Sequence, residues 1–457
     1  MPRSLTLFSL ALLGALVLAS CNGGNSPPPD DETPAGVVNV SLWHSMRSPY
    51  DNVLQTRFID AFNQSQTAYH VEATYQGSYS ESLNKLIASL GSARVPTLIQ
   101  LDDVSTQIMI DSDEITPVQE FIDNDSYDLS DFDPKALSYY KLDGKLYSMP
   151  FNLAGPILLY DKEDFIAAGL APDKPPDTLD EVRTAAEQLV ERDSDGNVTH
   201  YGISLQVSAW FFEQMLAKQG AFYANNQNGR DGRATEAVFD GPEGQNIITW
   251  YQDMVEDGLA YYAVDDLDAM LSVVNDKSSM AIGSTAVLGG AVPLISLQGE
   301  DPARLGTGPI PAPAPPAGKQ GGALLGGASL WVLGRSSTAE QRGAWEFIKF
   351  VSQPEQQAQW YGDTGYFPTR LSAYDLPAAQ QRLVDFPQFR TAADQVRNSP
   401  DVPATQGALI GAFNQVRDRI TDAFERALGA GADPVSALQS AADAATEDMK
   451  EYNRTAP

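Results

Sequence analysis

Cysteine is nearly absent from this chain: 457 residues contain one, Cys21. Without a second thiol there is no internal disulfide, so the fold must rest on its hydrophobic core. Histidine is scarce too, with only His44, His70 and His200. No His-Glu-x-x-His, Gly-x-Ser-x-Gly or phosphate-loop pattern occurs, which removes the commonest hydrolase and nucleotidase signatures. Positive charge is in short supply: 30 Lys and Arg stand against 60 Asp and Glu, a net charge of −30. Nucleic-acid binding rests on neutralising phosphates with Lys and Arg, so that class is set aside. The same charge gives no long-range help to an anionic ligand. Long apolar runs are missing after the first 20 residues, and no internal repeat is visible.

What is present starts at the N-terminus. Met1-Pro2-Arg3 is a small basic head, Ser4 to Leu18 is almost wholly apolar, and Leu18-Ala19-Ser20-Cys21 follows. The run is shorter than the about 20 apolar residues a lasting span needs, and small residues end it, so it reads as an export signal. Its ending resembles the lipobox of bacterial lipoproteins, which implies that Cys21 becomes the lipid-bearing N-terminus. An ordinary secretory signal with an incidental cysteine is the alternative. Asn22 to Gly36 is polar and rich in Pro and Gly, a composition that stays extended and unfolded. The expected body therefore begins near Val37 and is tethered to a membrane without crossing it. It is long enough for two lobes of ordinary domain size.

Strand and helix signals alternate through the first hundred residues of that body. Val37 to Trp43 is β-branched and apolar, and Val53, Leu54, Phe58 and Phe62 recur at helical spacing. Tyr69 to Tyr75 alternates as a strand does, Leu83 to Leu90 makes a helical face, and Thr97 to Leu101 is a third strand. This β-α-β-α-β order predicts a parallel sheet covered by helices, whose ligands sit beyond the carboxyl ends of the strands. Those ends carry Trp43-His44-Ser45, Tyr75 to Tyr79, and Asp102-Asp103. A second αβ unit starts near Ser148. Asp193 to Asn197 has some calcium-loop colouring but lacks the terminal Glu, so a plain hairpin turn is expected. Pro309 to Gly322 reads as an extended connector, Ala323 to Leu333 as a buried strand, and the last hundred residues as mainly helical.

Five segments together resemble a known family. They are Leu42–Met46 (LWHSM), Thr74–Tyr79 (TYQGSY), Pro150–Asn152 with Leu158–Lys162 (PFN and LLYDK), Gly326–Val332 (GGASLWV) and Thr364–Pro368 (TGYFP). The chain is similar to extracytoplasmic solute-binding proteins of bacterial ABC importers, of the carbohydrate class. Within that class it most resembles glycerol-3-phosphate and glycerophosphodiester binders. The resemblance implies an α/β protein in the two-lobed periplasmic-binding-protein fold, each lobe a mainly parallel sheet flanked by helices, with a hinge and a helical C-terminal region. It implies an N-lobe of 37–150 plus about 315–352, and a C-lobe of 151 to about 314 plus about 356–457. It further implies permease subunits as partners, membrane contact through the lipid anchor alone, a monomer, and no cofactor or metal.

Binding residues carry over where the motifs match: Tyr79, Asp103 (an acidic position, shortened here from Glu), Ser284, Gly327 and Tyr366. Trp210 falls where the family stacks an aromatic ring under its ligand, and Trp43 and His44 stand at the first strand end. Two positions depart. The family's serine after Pro-Phe-Asn is replaced by Leu153 or Ala154, and its phosphate-gripping arginine aligns with Leu409. Arg417, the nearest cation, is expected to lie too far along the helix. Losing a charged partner costs about 1.5–3 kcal/mol, roughly ten- to a hundredfold in affinity. The expected ligand is therefore a neutral sugar, polyol or small glycoside ahead of a phosphodiester. Tyr and Trp faces would stack on a sugar ring while Asp and Ser bond its hydroxyls. A glycoside hydrolase and an adhesion lipoprotein are the competing readings. No segment sets two acids in a catalytic pattern, and no β-rich repeat is present.

Overall fold

The computed structural model describes residues 36–90 and 95–456; the signal segment, Cys21 and the tether up to Ala35 lie outside the described residues. Two sheets organise the body. In the first, Tyr69–Tyr75, Val38–His44 and Leu98–Asp102 run parallel, and Gly326–Leu333 and Ile115–Thr116 continue the sheet antiparallel. Met149–Ala154 also pairs with Gly326–Leu333. In the second, Ala260–Ala263, Ile203–Gln206 and Met280–Ser284 are parallel, with Pro156–Asp161 and Leu305–Pro309 added antiparallel. Each sheet is thus a three-strand parallel core completed by antiparallel strands, and in the first sheet Gly326–Leu333 arrives from far along the chain.

The elements follow from local chemistry. Glu81, Glu181 and Glu340 close capping boxes with Ser78, Thr178 and Ser337 at three helix starts. The Pro156–Asp161 strand (PILLYD) is buried at every position, as a strand covered on both faces must be. Asp193 spends one carboxylate oxygen on the backbone N–H groups of Asp195 and Asn197, both at 2.9 Å, so the turn is a hairpin stabilised by its own side chain. The last two helices, Phe413–Ala430 and Pro434–Thr455, form an antiparallel pair.

Each sheet has its own core. Trp331, Trp345, Phe58 and Trp360 pack about the first. The second sheet is covered on one face by a large cluster including Phe211, Phe212 and Phe424, and on the other by Ile157, Leu159, Phe367 and Phe389. The chain passes from the first sheet to the second at Gly155, between paired strands. A Cβ there would lie 3.1 Å from the Phe367 ring, so the crossing is tightly packed.

Candidate functional site

The carboxyl ends of the parallel strands in the first sheet are His44, Tyr75 and Asp102. Beyond them a hydrogen-bond chain starts at Gln100, buried inside the third strand. Its amide oxygen accepts the Ser45 N–H at 2.9 Å, and its Nε2 donates to Asn152 Oδ1 at 2.6 Å. Asn152 Nδ2 donates in turn to the Tyr79 hydroxyl at 3.0 Å, and the Tyr366 hydroxyl shares the same amide. Tyr79 opens the helix Tyr79–Ser89, whose capping box fixes the ring's take-off angle. Tyr366 follows the left-handed Gly365 and stacks on Trp360 at 5.8 Å and 9°. Burial pushes both phenols well above the ordinary tyrosine range, so they act as neutral donors and acceptors.

Gly326 and Gly327 form the neighbouring wall. Gly327 has φ +119°, and a Cβ there would sit 2.2 Å from the Asn152 carbonyl oxygen. A Cβ on Gly326 would lie 2.6 Å from the indole of Trp210. Trp210 stands at the start of the helix Ala209–Lys218 and packs on the core of the second sheet, so it joins that core to the glycine strand of the first.

Asp103 lies in the turn after the third strand, 5% exposed, with Oδ1 accepting the Val104 N–H at 3.0 Å. Burial raises its pKa to about 8; Arg417 opposes the rise, and Asp102 and Glu213 add to it. Arg417, expected from the spacing to lie too far along the helix to stand in for the arginine missing at Leu409, is coupled to Asp103. The helix Phe413–Ala430 packs on the Asp103 turn, which brings Arg417 into the field of Asp103. Its Nη2 pairs with Glu213 Oε2 at 2.7 Å. Leu409 is buried, its N–H bonded to the Asn228 carbonyl at 2.8 Å.

The remaining expected residues are placed differently. Ser284 ends the third parallel strand of the second sheet, and its hydroxyl donates to Asp266 Oδ2 at 3.1 Å. Burial lifts Asp266 to about 7. Trp43 packs partly buried against the first core. His44 is 6% exposed, accepts the Met46 N–H on Nδ1 at 3.3 Å, and is held neutral by burial. Neither Trp43 nor His44 joins the Tyr79–Asn152–Tyr366 group; the loop they begin is tied to it through Ser45 and Gln100. Three contributors escaped the sequence reading: Gln100, Glu213 and the hydroxyl of Tyr139. Gln100 did leave a signal, as a lone polar residue inside the apolar run Leu98–Leu101. Asp164, His200 and Asp276 bring ligand-type atoms within 4.8 Å of one another at the other end of the second sheet. Both ring nitrogens of His200 are already engaged there, by the Asp276 carbonyl and Ser279.

Two α/β halves, each built on its own sheet and core, are the architecture of a two-lobed solute-binding protein. The comparisons agree. Residues 57–388 match the model of the bacterial extracellular solute-binding proteins, and the chain belongs to that family. It is 31% identical over 410 residues to the sn-glycerol-3-phosphate-binding periplasmic protein UgpB of Yersinia pestis, covering 88% of this chain and 90% of that one. Its fold is shared with UgpB of Mycobacterium tuberculosis in complex with glycerophosphocholine, at a TM-score of 0.74 and 22% identity over 91% and 99% of the two chains. The acarbose-binding GacH receptor of Streptomyces glaucescens follows at 0.72 and 19%, over 91% and 99%.

Proposed function

We propose that the chain captures a neutral, hydroxyl-rich solute (a sugar, polyol or small glycoside) in the interlobe cleft and delivers it to the permease of an ABC importer. The observation that carries this reading is the charge balance at the site. Arg417 is matched by Glu213, and Asp103, raised to about 8, is mainly protonated at neutral pH. What remains is directional hydrogen bonding from Asn152, Tyr79, Tyr366 and a protonated Asp103, beside the flat face of Trp210. That inventory suits hydroxyls and the apolar face of a sugar ring.

The site recognises and does not transform: Glu213 is spent on its ion pair with Arg417, and Asp103 is held protonated as a hydrogen-bonding group. The body acts as a monomer, held at the membrane by lipid on Cys21 and the Pro/Gly-rich tether. The lobe boundaries are those expected above, 37–150 plus about 315–352 and 151 to about 314 plus about 356–457. The sheet memberships of Val38–His44, Leu98–Asp102 and Gly326–Leu333 support the first, and those of Ile203–Gln206 and Met280–Ser284 the second.

One observation favours a second reading, a glycerophosphodiester or glycerol-3-phosphate. Arg47, exposed in the loop after the first strand, casts a positive field on both Tyr79 and Tyr366. The named relatives bind such solutes. A thermal-shift series with maltose, trehalose, glycerol-3-phosphate and glycerophosphocholine separates the two. A bound solute at a hundred times its Kd stabilises by about 2.7 kcal/mol. Shifts from the neutral sugars alone support the first reading; shifts from the phosphates alone replace it with the second.

A further inference from the structure

We infer that Tyr139, Tyr223 and Arg417 form a second polar subsite of the cleft, which reads a neutral hydroxyl of the solute. The inference rests on the proposed capture of a hydroxyl-rich solute and adds which residues select it. Three buried polar atoms here have no hydrogen-bond partner: the Tyr139 and Tyr223 hydroxyls and Arg417 Nε. Tyr139 is 3% exposed and Tyr223 2%. They belong to two different cores, Tyr139 to that of the first sheet and Tyr223 to the large cluster on the second. Tyr139 ends the helix Pro134–Tyr139 beside the first core, and Tyr223 stands among Phe212, Phe239 and Phe413 of the second lobe.

All three face one charged group. Glu213 and Arg417 act on both tyrosines, and Asp103 acts on Tyr139. Tyr140, next in the chain, feels Asp102, Asp103 and Tyr79, which makes the cluster continuous with the Tyr79–Asn152–Tyr366 group. The Arg417 side chain keeps 19% exposure, so the cluster is not wholly sealed from solvent.

A buried donor without a partner loses its hydration and gains nothing in return. Lobes closed over an empty cleft therefore strand three polar groups at once. A solute hydroxyl between them accepts from Arg417 Nε and exchanges hydrogen bonds with the two phenols. Because Glu213 already neutralises the guanidinium, the subsite offers direction without net charge. That favours a hydroxyl over a phosphate, and it makes closure without the right solute unfavourable.

Calorimetric titration of the full chain and its Y139F, Y223F, Y139F/Y223F, R417K and W210A forms tests this, with maltose, trehalose, glycerol and glycerophosphocholine as probes. The neutral probe that binds the unmodified chain should lose about five- to tenfold in affinity with each Tyr→Phe change, and more with both. Arg417→Lys, which keeps the charge but removes Nε, should lose a similar factor. The solute-free melting temperature of the double variant should be unchanged or higher, because Phe strands no hydroxyl. Unchanged affinity in the double variant, while Trp210→Ala abolishes binding, overturns the subsite and leaves the proposed function standing. A lower solute-free melting temperature with unchanged affinity assigns the hydroxyls a purely structural bond, and also overturns it. Failure of every neutral probe to bind the unmodified chain removes both.

Discussion

Asn152 is the residue on which the site turns. Its amide oxygen takes Gln100 and its amide nitrogen serves Tyr79, so one side chain sets the position of two others. Asn152→Leu keeps the volume and leaves those partners stranded. Chemical denaturation should show a loss of about 1–3 kcal/mol, with solute binding lost as well. Asp103 makes a prediction of the opposite kind. Its folded pKa of about 8 lies above an unfolded value of about 3.9, so the native state holds its proton more tightly. This carboxyl therefore costs nothing below about pH 4, and stability falls as pH climbs toward 8. Asp103→Asn mimics the protonated form, and its melting temperature should pull ahead of the unmodified chain by a few degrees between pH 5 and 8. A constant gap across that range counts against a protonated Asp103.

Among the elements, the glycine pair at 326 and 327 is the most constrained. Gly327 combines a positive φ with close approach to the Asn152 carbonyl, and it starts the strand that both finishes the first sheet and faces Trp210. Gly327→Ala should cost about 2–4 kcal/mol in unfolding experiments, from backbone strain and steric overlap together. The strand's role was only partly legible in sequence. GGASLWV read as buried, but its pairing with Leu98–Asp102 across more than 200 residues has no local signature. The strands Val38–His44 and Tyr69–Tyr75 were easier to read, since β-branched runs and apolar alternation are local chemistry. Arg417 shows the limit. Counting along the helix from Leu409 says nothing of its partners, whereas docking of that helix on the Asp103 turn couples it to Asp103 and Glu213.

At the scale of the whole molecule, contacts remote from the site tie distant segments of the chain together. Asp111, on the first lobe, receives Arg233 and the Tyr452 hydroxyl, both at 2.9 Å. The Arg230 guanidinium donates to the carbonyls of Ser138, Tyr139 and Lys141 on one side, and to those of Gln406 and Gly407 on the other. A donor fork filled by five carbonyls ties two backbone segments together without needing a carboxylate. Asp111→Ala and Arg230→Ala should each weaken solute binding by about tenfold, by lowering the closed population rather than by touching the ligand. Solution scattering should show the unmodified chain contracting with solute, and both variants contracting less at equal solute concentration. Equal contraction would assign these contacts to local packing alone.

The sequence by itself determined the αβ alternation of the body, its helical C-terminal region and the motifs that mark a solute-binding family. These depend on neighbours within a few residues, on hydrophobic period, caps and turn chemistry. Tertiary structure alone decided which distant side chains meet: Gln100 with Asn152, Trp210 with Gly326, Arg417 with Glu213 and Asp103. Such meetings depend on how helices dock and strands cross between halves, and no local pattern in the chain encodes that geometry.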